Sequence, residues 1–72
     1  MSHPQQMIID GFLTETRCAF RAARQGMAGS MGRHLAAAHA LAMYGAPELL
    51  KDYPEAEQRA WQEYETWKTT QG

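Results

Sequence analysis

GSMGRHLAAAHALAMYG, residues 29–45, is the stretch that decides the fold. It carries five alanines and one formally charged side chain, Arg33. Alanine is the strongest helix former, and its small side chain lets neighbouring backbones approach closely. The stretch therefore predicts a thin central helix over roughly residues 30–44, with longer amphipathic helices packed against it. Met31, His34, Leu35, Ala38, Leu41 and Ala42 share one face of that helix, and Ala36, Ala40 and Met43 lie on another.

Towards the N-terminus, apolar residues recur at helical spacing from about residue 6 to residue 25. Ile8, Phe12, Thr16 and Phe20 run along one side, joined by Ile9 and Leu13. Gly26 is a natural stop, following the cation of Arg24 at the negative end of the helix dipole. The run from Gly26 to Ser30 reads as a turn with Ser30 as N-cap. Residues 1–5, with His3 and Pro4, have nothing to bury and are expected to form a frayed tail. Towards the C-terminus, Pro47 disfavours helix at Ala46 and ends the central helix. Residues 47–51 suggest one short turn. Asp52 with Glu55 fits a capping box, or Tyr53 caps a helix with Pro54 at its first position. The final helix is expected over 54–69, rich in Glu, Gln, Ala, Arg and Lys, with Ala60, Trp61, Tyr64 and Trp67 on one face. The expectation is a single all-α domain of three helices spanning residues 6–72.

At 72 residues the chain is near the lower limit for folding alone, since a domain of about 60 residues buries only roughly 60% of its unfolded surface. The single cysteine, Cys18, excludes an intramolecular disulfide. Small scaffolds without such staples commonly associate, so a homodimer is expected, with Leu35, Ala38 and Ala42 packing against a second copy. The formal net charge is −1, too small for a global field that marks a polyanion binder. It is unevenly spread. Residues 1–46 set four arginines against Asp10 and Glu15, a formal +2, whereas residues 47–72 set three cations against six carboxylates, a formal −3. No basic and apolar leader stands at the start, and the uncharged run from His34 to Pro47 is short of the roughly 20 residues a membrane helix needs. A cytoplasmic protein with no membrane partner is expected.

Catalytic signals are weak. His34 and His39 are five residues apart, which places them roughly 140° around a helix and bars chelation of one ion from one element. Cys18 beside Arg17 and Arg21 reads as packing rather than as a reactive thiol. The carboxylates of the last third occupy the polar sides of an amphipathic helix, and Gly26, Gly29 and Gly32 fit neither phosphate-loop pattern. The sequence is read as that of a non-enzyme with no metal and no cofactor.

Two features point to binding. Arg17, Arg21 and Arg24 follow i, i+4, i+7 on the first helix, with Arg33 beyond the turn, a basic stripe suited to phosphates or to an acidic protein surface. Trp61, Tyr64 and Trp67, with Tyr44 as a possible neighbour, exceed what one alanine-rich helix can cover, and Trp and Tyr are favoured at interfaces. The reading this supports best is a small interaction protein, a regulator or inhibitor docking on a larger regulatory protein through Tyr44, Trp61, Tyr64 and Trp67. In size it is similar to accessory proteins of phages and plasmids. The alternatives are a nucleic-acid-binding regulator and a structural subunit of a larger assembly. Ala22, Gly26, Met27, Ser30 and Leu35 echo helix-turn-helix spacing, but Arg21, Gln25 and Gly32 depart from it, and the second helix offers base edges only His39.

Overall fold

The computed structural model describes residues 4–71. It is all-α: α1 spans Pro4–Arg24, α2 Ala28–Gly45 and α3 Tyr53–Gln71, with a 3₁₀ turn over Pro47–Lys51 between α2 and α3. Three helices joined by short connections match the sequence expectation. The boundaries differ at the helix starts. α1 begins at Pro4, whose fixed φ suits a first helical position, so Gln5 is helical and its amide donates to Glu48. The rest of the expected tail, residues 1–3 with His3, lies outside the described residues. α2 begins at Ala28, with Met27 as N-cap and no side-chain cap. Ser30 is thus the third residue of the helix, within its first turn, rather than its cap. Asp52 precedes α3 and accepts the Ala56 N–H through its backbone carbonyl; no Asp52 side-chain bond completes a capping box among the described residues.

Gly26 ends α1 as expected, at φ 74°. Its N–H donates to the Ala23 carbonyl at 3.0 Å, and the Met27 N–H reaches the Ala22 carbonyl at 2.9 Å. This is the Schellman pattern, in which a left-handed residue lets two orphan carbonyls be satisfied.

α1 and α2 form an antiparallel hairpin along their whole length. Gly45 approaches Ile8, Gly11 approaches Leu41, and Glu15 meets His34. The approach at Gly45 is close enough that a Cβ there would lie 2.8 Å from Ile8 Cδ1. Full-length antiparallel pairing is not the crossing of a helix-turn-helix, whose two helices meet at about 90–120°. α3 runs parallel to α1 and packs mainly against it. Arg59 lies on Phe20, Glu63 pairs with Arg24, and Trp67 covers Gly26.

The core is alanine-rich. One cluster joins Ala19, Ala22, Ala23, Met31, Leu35 and Ala60, and a second joins Phe12, Ala38 and Ala42. Tyr53 packs on both. Leu35, Ala38 and Ala42, expected at a dimer contact, are buried within the single chain, Ala38 and Ala42 completely. They face α1 because the smallest face of α2 permits the closest backbone approach, so a second copy cannot pack on them without opening the monomer.

Candidate functional site

The basic stripe becomes three-dimensional through a residue that helical periodicity does not attach to it. Arg17, Arg21 and Arg24 project from one side of α1, and Arg59 reaches them from α3. The four arginines line a groove of about 450 Å³ whose remaining lining is Leu13, Thr16 and Phe20. The Arg59 guanidinium carbon lies 4.4 Å from the centre of the Phe20 ring, a cation–π contact that fixes its orientation while leaving its N–H donors free to bond. Arg24 donates from Nε to Glu63 at 2.9 Å. Among the described residues, Arg17, Arg21 and Arg59 have no carboxylate partner. Arg33, counted in the sequence stripe, stands on the exposed side of α2 and does not line the groove.

Among the described residues, the acidic half of the chain therefore pairs with the basic half at one point, Arg24 with Glu63. Beyond Arg59 the neighbouring surface carries Asp52 and Glu55, so the positive groove is bounded by negative charge along α3. Its floor is partly apolar, since Leu13 is 41% exposed.

The aromatic set expected to bind a partner is divided. Trp61 and Tyr64 meet edge to face at 5.9 Å between centroids, and Tyr64 stacks with Trp67 at 5.9 Å. Tyr64 packs on the alanine core and Trp67 over Gly26, and both are half-buried; Trp61 is 47% exposed. Tyr44 belongs to the other end of the hairpin. It is 82% exposed and borders an apolar groove with Ile8, Ala37, Ala40, Leu41 and Gly45. Ile8 and Gly26 are separated by about 27 Å of helix at 1.5 Å per residue, so Tyr44 and Trp67 do not form one surface. The missed signal was register: spacing identifies faces, whereas only packing tells which positions stand at the same level.

Tyr53, at the start of α3, is a half-buried anchor. Its ring lies 4.8 Å from that of His39, and its hydroxyl donates to Glu57 at 3.2 Å. Burial first, then the charge and hydrogen bond of Glu57, hold its phenol above the ordinary value of 10.0.

A third grouping lies between α1 and α2. Glu15, Cys18 and His34 bring a carboxylate oxygen, a thiol sulfur and an imidazole nitrogen within 4.8 Å of one another. His39 cannot join His34 on one ion from the same helix, but the fold brings Glu15 and Cys18 to His34 from α1. No protein-family model, curated protein or solved structure matches this chain. Among the described residues, no helix is long and apolar enough to cross a membrane.

Proposed function

We propose that the protein is a small non-catalytic interaction module that docks on a larger protein by seating an acidic, partly apolar segment in the arginine groove. One observation supports this reading: four arginines from two helices line one groove together with Leu13 and Phe20, and among the described residues three of them have no carboxylate partner. Arginine forks favour carboxylates geometrically, while the apolar floor suits a Leu or Phe side chain between them. A phosphate backbone fits less well, because it offers nothing to cover the exposed Leu13 side chain between the arginines. The partner chemistry is thus alternating acid and hydrophobe.

The test is fluorescence anisotropy with a labelled Glu/Leu peptide, set against its Gln/Leu isostere and a single-stranded oligonucleotide. The Glu peptide is expected to bind at least tenfold more tightly than either. Arg17→Glu with Arg21→Glu should abolish that binding while far-UV dichroism stays helical. Tighter binding of the oligonucleotide, with a steep loss as salt rises, would replace this reading with nucleic-acid recognition.

A second copy remains the other partner to consider, on a face different from the expected one. The outward side of α2 exposes Ala36, Ala40, Met43 and Tyr44 beside the apolar groove at Ile8. Tyr44 is the large side chain left most open there. Sedimentation equilibrium of the chain and of Ala40→Glu tests it: a dimer that the substitution splits supports this face, and a monomer at all concentrations removes it.

A further inference from the structure

We propose that Glu15, Cys18 and His34 form a binding site for a zinc-class divalent cation that clasps α1 to α2. The three donors are different in kind, and two helices bring them together. Glu15 and Cys18 stand at i and i+3 on α1, so both point from one face of that helix. His34 arrives from α2, where antiparallel pairing places it opposite Glu15. His34 Nδ1 lies 3.1 Å from Glu15 Oε1, and the sulfur of Cys18 completes a set whose ligand atoms all fall within 4.8 Å. Zinc bonds of about 2.0–2.3 Å in a tetrahedral array put neighbouring ligand atoms roughly 3.3–3.8 Å apart. Ligand atoms already within 4.8 Å of one another need to draw together by no more than about 1.5 Å to reach that spacing.

The donor set selects the metal class. A thiolate with an imidazole suits zinc and its borderline-soft neighbours, whereas magnesium and calcium prefer oxygen alone. All three residues are half-buried, which limits competition from water without sealing the site. Three protein ligands leave a fourth position. Beside the cluster, Arg21, Gln25 and Ser30 line a shallow pocket with Cys18 and His34, giving that position access to water or a small anion. The inference is independent of the partner reading, although Arg21 borders both surfaces.

The experiment uses the full chain, reduced and freed of metal, titrated with Co²⁺ and then with Zn²⁺. The expected result is one Co²⁺ per chain, with thiolate-to-cobalt charge-transfer absorption and the visible bands of a tetrahedral ion, both removed by one equivalent of Zn²⁺. Cys18→Ser should lose the charge-transfer band, and His34→Gln should weaken binding at least tenfold. The thermal midpoint of the unaltered chain should rise until one equivalent of Zn²⁺ is present, and that rise should vanish in His34→Gln. Far-UV dichroism of the metal-free variants checks that they fold. Absence of the charge-transfer band in the unaltered chain overturns the proposal, and so does cobalt binding that His34→Gln leaves unchanged.

Discussion

Gly26 turns the chain through a backbone region that other residues enter at a cost, and it also lies beneath an indole ring. A Cβ at this position would sit 2.3 Å from Trp67. Gly26→Ala therefore combines left-handed strain with displacement of the ring, and we expect it to destabilise the fold by about 1–3 kcal/mol, read from urea unfolding followed by tryptophan fluorescence. Tyr53 makes a different residue-scale prediction. Its phenol is held above 10.0 by burial, then by Glu57, so the folded state keeps this proton more tightly than the unfolded chain does. The associated stability is complete below pH 10 and is lost as pH rises through the folded value. The urea midpoint should fall on that alkaline limb, and Tyr53→Phe should make the fall smaller than in the unaltered chain. An equal decline in both would show that other groups account for it.

At the scale of elements, α2 is held by its alanines and by two larger side chains, Met31 and Leu35. Met31 is the one large side chain fully buried among the described residues, where it meets alanines of α1 and Ala60 of α3. Met31→Ala is expected to cost about 2–5 kcal/mol, the range for emptying a core position. In so small a domain that is a large part of the total stability, so the variant should show a low thermal midpoint and early loss of α3 protection in hydrogen exchange. The Arg24–Glu63 pair that joins α1 to α3 is open to solvent and contributes little. α3 is held instead by Ala60, Tyr53 and Tyr64 against the core, with Trp67 at the Gly26 turn. This docking positions Arg59, and with it the fourth side of the basic groove.

For the whole molecule, an alanine core means modest apolar burial, and the shape is elongated, 47 × 22 × 15 Å along its principal axes. A domain so built gains from any ligand that binds only its folded state, which suits both the acidic partner and the cation proposed above. The two alanine faces of α2 also behave differently at this scale. Ala42→Glu would place an unpaired charge in a completely buried position and should unfold the monomer. Ala40 is exposed, so Ala40→Glu should leave the dichroism helical at every concentration. Comparing the two by dichroism and sedimentation separates loss of fold from loss of association; a folded Ala42→Glu would contradict the buried face.

The three helices and the points where the first two stop were legible in the local sequence. Period 3.6 in residues 8–23, the alanine run after Gly29, and the breaks at Gly26 and Pro47 are local properties, set by propensity and backbone sterics. It also gave the stripe of Arg17, Arg21 and Arg24, since that spacing lies within one helix. What it could not give was register between helices. That Ala38 and Ala42 face inward rather than towards a second copy, that Arg59 joins the stripe, that Tyr44 stands apart from Trp67, and that Glu15 and Cys18 meet His34 all depend on which turns of different helices lie side by side. Tertiary packing decided this, because side-chain size at each level of the hairpin fixes how closely two backbones approach and therefore which groups come within reach.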